Sequence, residues 1–432
     1  MKNQYRSLLF CLFFLCVNLS YLTAQKKEVD TTQKVVPERK NTVQTYEKPY
    51  VILISIDGFR YDYIEQYNAK NIQKIASENV WAKNGMYPAF PSLTFPNHYT
   101  LATGLYPSKH GIVDNVFYDP ERNETYRIGS ESIKDGSWYK GLPLWNLAEQ
   151  NGMLAASLFW VGSESEIDGM RPTYWYSYHE KFSDDDKIQI IKNWLTLPEE
   201  SRPHFITLYF PEVDHAGHRF GPDAKETQDA VLYIDTAIQK LTDELNKLNL
   251  PINFILLSDH GMIQVDEEDY LYLPPIDETK FTLINSNTFA RITAKNTKDI
   301  RPLYKNLKKL KSKDFQVYLA NKTPKHLHFS SREDETRRIG DLILIPNGSK
   351  IFIDPNRRTP TPGKHGFDAT QIPEMKAVFI AWGPNFKKNK LISSFDNVNI
   401  YPLIAEILQL QIPKEMKIDG QLSVLQEIIQ SE

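Results

Sequence analysis

Cysteine is almost absent from this chain of 432 residues, since the only two are Cys11 and Cys16. Both lie in an apolar run, residues 8–22, that follows two basic residues and precedes small residues. This pattern predicts a secretory signal peptide over residues 1–24, the alternative being an uncleaved membrane anchor. The mature chain would then have no thiol. It must rely on its core for stability, and any metal site must use nitrogen and oxygen ligands.

The sequence also lacks a charge of dominant sign. Its 51 Lys and Arg residues nearly balance its 54 Asp and Glu residues, for a formal net charge of −3. This balance argues against a nucleic-acid-binding surface. No second apolar run is long enough to span a membrane once the leader is removed. The apolar content of 41% is that of a folded globular protein, which we expect to be secreted or periplasmic.

Four buried strands are predicted, the first from the apolar run at residues 50–56 and the others from strand-like runs at residues 204–210, 252–257 and 377–381. They alternate with amphipathic helical patterns. The fold class is therefore α/β, a mostly parallel central sheet with helices on both faces. We expect one large domain over residues 48–430.

Two segments differ from this pattern. Residues 25–47 are polar and predict a disordered linker. Residues 270–360 predict a smaller α+β insertion with a basic helical stretch, residues 297–311, and short strands at 281–284, 288–292, 316–319 and 342–345.

Metal-capable side chains follow the predicted strands at the point where each strand ends. Carboxyl ends of parallel strands form the ligand-binding edge of such a sheet, so we expect these side chains to converge there. Carboxylate with imidazole and without thiolate suits zinc, with manganese and iron less favoured. The candidate ligands are Asp57, Asp214, His218, Asp259, His260 and His365.

A sharp loop at residues 91–98 is predicted to open a helix. Pro96 suits a first helical turn, and Gly104 can end the helix. Thr94 then lies at or just before the N-cap, where free N–H groups attract an anion. Its hydroxyl is either an ordinary cap or a nucleophile aimed at phosphorus. Together with the six candidate ligands it suffices for two metal ions about 4 Å apart, the usual arrangement for displacement at phosphorus.

Seven short motifs follow one another along the chain. They are Asp57-Gly58-Phe59-Arg60, Thr94-Phe95-Pro96-Asn97-His98, Thr103-Gly104-Leu105-Tyr106-Pro107, His110-Gly111-Ile112-Val113-Asp114-Asn115, Asp214 with His218, Ser258-Asp259-His260-Gly261-Met262, and Lys364-His365-Gly366. In this order they resemble the motifs of the nucleotide pyrophosphatase/phosphodiesterase family of the alkaline phosphatase superfamily. The resemblance covers roughly residues 48–425 and is closest to minimal bacterial-type members.

The resemblance implies an alkaline-phosphatase-like fold, two Zn²⁺ ions and a role for each motif residue. Thr94 would be the nucleophile and would also contact zinc. The Asn115 amide and the Phe95 backbone N–H would stabilise the transition-state oxygen. One zinc would be held beside Thr94 and the other nearby, with the two ligand sets being Asp57, Asp259 and His260, and Asp214, His218 and His365.

Aromatic side chains are expected to bind the leaving portion or nucleobase of the substrate. By the resemblance Phe95 stacks on it, and the opposing ring comes from the segment 160–178. Trp160, Tyr174 and Tyr178 are the candidates in that segment, with Tyr178 preferred to Tyr174. Core packing is the alternative for each of them.

The sequence therefore predicts a secreted two-zinc phosphodiesterase/nucleotide pyrophosphatase. It would hydrolyse phosphodiester or pyrophosphate bonds of nucleotides through a covalent nucleotidyl-threonine intermediate. The alternatives on the same scaffold are a phosphomonoesterase and a choline-phosphodiester or lysophospholipid hydrolase. A catalytically dead metal-binding protein is the alternative from outside the enzymes.

Overall fold

The structure is a computed structural model that describes residues 29–266, 268–310, 313–354 and 361–430. The predicted signal peptide, residues 1–24, lies outside the described residues. The strands are β1 (Lys34–Val35), β2 (Tyr50–Ile56), β3 (Val80–Trp81), β4 (Val116–Asp119), β5 (Glu124–Arg127), β6 (Ala155–Leu158), β7 (Tyr174–Tyr176), β8 (Phe205–Phe210), β9 (Ile252–Leu257), β10 (Ile263–Gln264), β11 (Leu271–Tyr272), β12 (Phe281–Asn285), β13 (Ala290–Ala294), β14 (Phe315–Leu319), β15 (Leu342–Pro346), β16 (Phe352–Ile353), β17 (Gly363–Lys364), β18 (Phe379–Trp382) and β19 (Lys390–Leu391).

The helices lie between these strands along the chain, except α10, which follows β19. They are α1 (Tyr63–Gln66), α2 (Lys70–Glu78), α3 (Thr94–Thr103), α4 (Pro107–His110), α5 (Leu144–Gln150), α6 (Asp184–Leu195), α7 (Glu212–Phe220), α8 (Lys225–Asn246), α9 (Ile300–Lys309) and α10 (Ile400–Ile407). Within the described ranges, none of them combines the length and apolar character that crossing a bilayer requires.

A nine-stranded sheet forms the centre, in the order β1-β7-β6-β8-β2-β9-β18-β3-β19. Five of its strand pairs are parallel and three are antiparallel. At its middle, Ile52 of β2 pairs with Ile206 of β8 on one side and Phe254 of β9 on the other. The prediction of a mostly parallel sheet is confirmed.

Alternate residues of β2 enter two different hydrophobic cores. Val51 and Leu53 pack with residues of α3, α5 and α10. Ile52 and Ile54 pack with residues of α2, α6 and α8. Since neighbouring side chains of a strand point to opposite faces, helices cover both faces of the sheet. This explains why the strand has no polar alternation in its sequence.

A second sheet is four-stranded and antiparallel, in the order β12-β13-β15-β14. Helix α9 packs on it through Leu307, and its lysines lie on its exposed side. The strand predicted at residues 288–292 is displaced to Ala290–Ala294, because a tight turn at Ser286–Phe289 takes up its first residues.

The expected disordered linker, residues 25–47, is not what the structure shows between residues 32 and 47. Strand β1 pairs antiparallel with β7. Asn41 is buried and its Nδ2 donates to the carbonyl oxygens of Glu199 and Arg202 at 2.7 Å, while its Oδ1 accepts from the Leu154 N–H. Polar composition misled the prediction, because the segment is held by backbone pairing and one buried amide rather than by apolar burial.

Candidate functional site

The candidate ligands come together at one edge of the central sheet. Asp57 directly follows β2, and Asp259 and His260 follow β9. Helix α7 begins two residues after β8 and carries Asp214 and His218. Parallel strands β8, β2 and β9 are adjacent, so their carboxyl ends deliver these side chains to a common place.

The first cluster consists of Asp57, Asp259 and His260, all buried. His260 Nε2 lies 2.9 Å from Asp259 Oδ2 and 3.6 Å from Asp57 Oδ1. One ligand atom from each of the three lies within 4.8 Å of the others. The Thr94 hydroxyl oxygen is 3.3 Å from His260 Nε2, so it faces this cluster directly.

The second cluster consists of Asp214, His218 and His365. The Nε2 atoms of His218 and His365 are 2.9 Å apart, and each lies 3.5–3.6 Å from Asp214 Oδ1. Asp214 and His218 are one turn apart on α7, as their spacing predicts. The rings of His365 and His260 stack at 3.6 Å, so the two clusters are adjacent.

All three histidines present Nε2 to the site. Their Nδ1 atoms donate to backbone carbonyl oxygens, His218 to Gly363 at 2.8 Å, His365 to Ser92 at 2.9 Å and His260 to Gly261 at 3.0 Å. A neutral imidazole that donates through Nδ1 has its lone pair on Nε2. This is the tautomer and orientation of a metal-binding histidine.

The carboxylates are oriented in the same way. Asp57 Oδ2 accepts from the Tyr209 hydroxyl at 2.5 Å, and Asp259 Oδ1 accepts from the Gly58 N–H at 3.2 Å. The other oxygens, Asp57 Oδ1 and Asp259 Oδ2, are buried without a hydrogen-bond partner in the described part of the chain, as is Asp214 Oδ1. Unsatisfied buried carboxylate oxygens are costly, and a cation satisfies them.

Electrostatics supports the same conclusion. Burial, with the nearby charges of Asp259 and Asp214, raises the pKa of Asp57 well above its usual range. Burial, with His260 and His218, lowers the pKa of His365. Carboxylates of like charge and imidazole lone pairs are crowded together here. These groups are therefore suited to bind cations through nitrogen and oxygen atoms.

Thr94 is the first residue of α3. Leu93, with extended backbone, is the N-cap, and no side chain makes a capping bond there. Thr94 therefore lies one position later than predicted, and capping does not account for its hydroxyl. Gly104 adopts a φ of 67° and ends the helix, as predicted.

Asn115 lies beside the start of α3, where it contacts Phe95, the other residue expected to stabilise the transition-state oxygen. The Phe95 N–H donates to Asn115 Oδ1 at 3.0 Å. This bond orients Asn115 and leaves its NH₂ group as the donor end of the side chain.

A cavity of about 340 Å³ opens beside Thr94 and borders both clusters. Phe95, Trp160 and Tyr178, three of the expected substrate-binding aromatics, line it. Trp160 is also held by its Nε1, which donates to the His98 carbonyl oxygen at 3.0 Å. Tyr178 is 43% exposed, at the mouth of the cavity.

Tyr174 does not line the cavity. Its hydroxyl donates to the Ser201 carbonyl oxygen at 2.9 Å, and its ring stacks on Trp194. The reason is topological, since Tyr174 begins β7 whereas Tyr178 lies beyond the carboxyl end of that strand. The core alternative therefore holds for Tyr174.

Sequence reasoning missed Tyr209, which holds Asp57, and His98, whose Nδ1 lies 3.4 Å from Asp259 Oδ2. It also missed Glu164 and Glu180, which line the cavity. A hydroxylated aromatic one residue before the end of a mostly apolar strand was the available signal for Tyr209. Glu164 and Glu180 lie in irregular segments without such a signal.

Known proteins are similar to this chain in sequence and in fold. A family model described as type I phosphodiesterase / nucleotide pyrophosphatase matches residues 51–368. The chain is 34% identical over 379 residues to human ectonucleotide pyrophosphatase/phosphodiesterase family member 1, covering 84% of this chain and 40% of that protein. It is 34% identical over 378 residues to venom phosphodiesterase 2 of Crotalus adamanteus, covering 85% and 46%. The chain thus spans less than half the length of these relatives.

Solved structures agree. Murine ectonucleotide pyrophosphatase/phosphodiesterase 5 superposes with a TM-score of 0.81 at 27% identity, covering 88% of this chain and all of that one. An inactive variant of the same murine protein in complex with AMP superposes equally well, at 26% identity over 89% of this chain. The family match over most of the chain, the identity to the curated relatives and the shared fold lead to one conclusion: the chain belongs to the type I phosphodiesterase / nucleotide pyrophosphatase family.

Proposed function

We propose that this protein is a two-zinc phosphodiesterase/nucleotide pyrophosphatase in which Thr94 is the nucleophile. One observation carries the proposal: the Thr94 hydroxyl lies 3.3 Å from His260 Nε2, beside buried carboxylate oxygens that lack hydrogen-bond partners in the described residues. A hydroxyl so placed at a helix N-terminus is both exposed to a phosphate and close to groups able to bind a cation.

Two ligand sets would hold the metal. Asp57, Asp259 and His260 would bind one zinc next to Thr94, and Asp214, His218 and His365 would bind the other. When bound, zinc supplies positive charge that favours the alkoxide of the nucleophile and offsets charge on the phosphoryl and leaving oxygens. Family membership and the orientation of all six side chains support this assignment.

Thr94 forms and loses the covalent bond. The Thr94 hydroxyl loses its proton as Oγ1 attacks phosphorus, the bond to the leaving-group oxygen breaks, that oxygen takes up a proton, and a phosphothreonyl diester remains. Water then attacks the same phosphorus and loses a proton, the bond to Thr94 Oγ1 breaks, and Oγ1 takes up a proton to restore the hydroxyl. The Asn115 NH₂ group donates to a phosphoryl oxygen as its charge grows, while Oδ1 stays on the Phe95 N–H.

Nucleotides are the proposed substrate class. The aromatic cavity beside Thr94 suits a planar base, with Phe95 on the catalytic side and Tyr178 at the mouth. The related murine protein was solved with AMP, the kind of product that hydrolysis of a nucleotide diester or pyrophosphate would release.

A choline phosphodiester is the second candidate substrate. Among the described lining residues there is no Lys or Arg, whereas Glu164 and Glu180 contribute carboxylates among several aromatic rings. Aromatic faces with carboxylates bind quaternary ammonium groups. The same lack of a lining cation disfavours a phosphomonoesterase, whose substrate carries an additional negative charge.

A substrate panel tests the proposal. The zinc-loaded protein should hydrolyse bis-p-nitrophenyl phosphate much faster than p-nitrophenyl phosphate. ATP, a dinucleotide, a cyclic dinucleotide and glycerophosphocholine then identify the substrate. Preference for the monoester would contradict the diesterase assignment, and inactivity on every member would favour the metal-binding protein without catalysis.

The proposal has three further parts. The protein is secreted or periplasmic, its leader is cleaved after residue 24, and its domain extends over residues 48–430. The names of the curated relatives, an ectonucleotide enzyme and a venom enzyme, support an extracytoplasmic location. Fractionation and amino-terminal sequencing of the mature protein test it. Recovery of full-length chain in the cytoplasm would contradict it.

A further inference from the structure

The segment that carries Asn115 is held from the second sheet by a buried arginine. Arg291 lies on β13, the strand between β12 and β15. Its Nη2 is 2.7 Å from Asp114 Oδ2 and also donates to the Val116 carbonyl oxygen at 2.7 Å. The side chains of Arg291 and Asp114 are 2% and 3% exposed. The ion pair is therefore fully within the protein.

Asp114 transmits this contact to its neighbour. Its Oδ1 accepts from the backbone N–H groups of Asn115 at 2.6 Å and Val116 at 3.3 Å. Asn115 Oδ1 in turn accepts from the N–H of Phe95, the residue after Thr94. A continuous series of hydrogen bonds thus joins β13 to the start of α3.

The hairpin between β12 and β13 adds two contacts. The Ser286 hydroxyl donates to Asp114 Oδ2. Thr288 lies against Gly366, next to His365, so closely that a Cβ at Gly366 would be 2.3 Å from Thr288 Oγ1. The hairpin therefore supports segments on both sides of the candidate site.

We propose that Arg291 is a positioning residue for catalysis, acting through Asp114 to hold the Asn115 amide in place. This inference rests on the proposed function. Without Arg291, a buried carboxylate loses its charged partner and its segment must shift or admit water. The Asn115 NH₂ group would then be misplaced while Thr94 and both metal clusters remain.

A double-mutant cycle on zinc-loaded full-length protein tests this. Arg291→Met should lower kcat for bis-p-nitrophenyl phosphate about tenfold, with little change in KM or zinc content. Asn115→Ala should lower kcat by ~100-fold. In the Asn115→Ala background, Arg291→Met should cause almost no further loss, because the group it positions is gone.

Arg338 provides the matched control. It is also a buried arginine, and it pairs with Asp119. It donates to the carbonyl oxygens of Gly111 and Trp138. Arg338 therefore holds the segment of residues 111–119 at both ends without touching Asp114. Any effect of Arg338→Met on kcat should be the same in both backgrounds. If Arg338→Met were as non-additive with Asn115→Ala as Arg291→Met is, the effect would reflect a general loss of order in this part of the protein, and the proposal would be overturned.

The remaining outcomes are also decisive. If Arg291→Met does not fold, Ser286→Ala, which removes one hydroxyl from Asp114, should show the same non-additivity with Asn115→Ala at smaller size. Full additivity of either variant with Asn115→Ala overturns the positioning role while leaving the proposed function intact. An Asn115→Ala enzyme with unchanged kcat removes the Asn115 role from the proposed function itself.

Discussion

His218 and His365 face each other through their Nε2 atoms, which are 2.9 Å apart, although the Nδ1 atom of each already donates to a backbone carbonyl oxygen. Two neutral imidazoles so arranged point lone pairs at one another. Asp214 Oδ1 lies 3.5–3.6 Å from both. A cation bound among the three atoms would turn this repulsion into coordination.

Metal content follows from this geometry. Purified protein should contain two zinc ions per chain, and His218→Ala should lose about one of them, because only one cluster is altered. His215→Ala is the matched control, since His215 is on the same helix but 52% exposed and outside both clusters. Elemental analysis measures the ratio. Two ions retained in His218→Ala would contradict the assignment of that histidine.

Removing the metal should also lower stability. A ligand that binds only the folded state stabilises it by ~2.7 kcal/mol at one hundred times its Kd. Chelation should therefore lower the midpoint of thermal unfolding, and added zinc should restore it. An unchanged midpoint, with metal loss verified, would show that the clusters do not bind zinc in the folded protein.

Thr94→Ala should abolish turnover without loss of metal or fold. Its hydroxyl makes no capping bond, so the helix loses little, while the bond-forming oxygen is removed. We expect a fall in kcat of about a thousandfold or more. Thr94→Ser keeps the oxygen and should retain measurable activity. A Thr94→Ala enzyme with near-normal kcat would show that another group attacks phosphorus.

Tyr178→Ala should weaken substrate binding, whereas Tyr174→Ala should weaken the fold. Stacking of a base on an aromatic ring is worth ~1–3 kcal/mol, so loss of Tyr178 should raise KM for a nucleotide substrate by about 5–150-fold. Tyr174 packs on Trp194 away from the cavity, so its loss should lower the free energy of unfolding and leave KM unchanged. Steady-state kinetics and urea unfolding separate the two. A raised KM in Tyr174→Ala instead would reverse the assignment.

Acid should destabilise the protein through His110. Burial lowers the pKa of His110 from 6.5 to about 3, and the charge of Arg338 acts in the same direction. The Nδ1 of His110 accepts from the Ile112 N–H, and its Nε2 contacts Thr100 Oγ1. Between those two pH values the unfolded chain binds a proton that the folded chain does not. Stability is therefore lost as pH falls from 6.5, by up to about 1.36 kcal/mol per pH unit.

His110→Gln tests this in metal-free protein, where ligand protonation does not contribute. Its free energy of urea unfolding should fall less steeply with decreasing pH than that of the unaltered protein. His204, whose pKa burial lowers to about 4, acts in the same direction, so the double variant should be flatter still. Identical slopes would contradict the contribution of His110.

The sheet and the ligand-bearing edge could be predicted from sequence for a physical reason. Strands buried on both faces, such as β2, are dominated by apolar residues, and charged residues appear only where the strand ends. Asp57 and Asp259 are the first charged residues after β2 and β9, so their convergence needed only the rule that parallel strands end at one edge.

Other contacts could not be predicted, because they depend on distant parts of the chain. Asn41 satisfies backbone groups more than a hundred residues away, which composition does not reveal. The bond between the Phe95 N–H and Asn115 requires the exact path of the segment that Arg291 holds. Tyr174 and Tyr178 are chemically identical, and only their positions relative to β7 place one in the core and the other beside the cavity.

The stereochemical course at phosphorus tests the central claim most directly. A diester substrate made chiral at phosphorus with sulfur and an oxygen isotope should be hydrolysed by the zinc-loaded protein with net retention of configuration. Attack by Thr94 inverts the configuration once and attack by water inverts it again. Net inversion would mean that water attacks the substrate directly, and it would contradict Thr94 as the nucleophile.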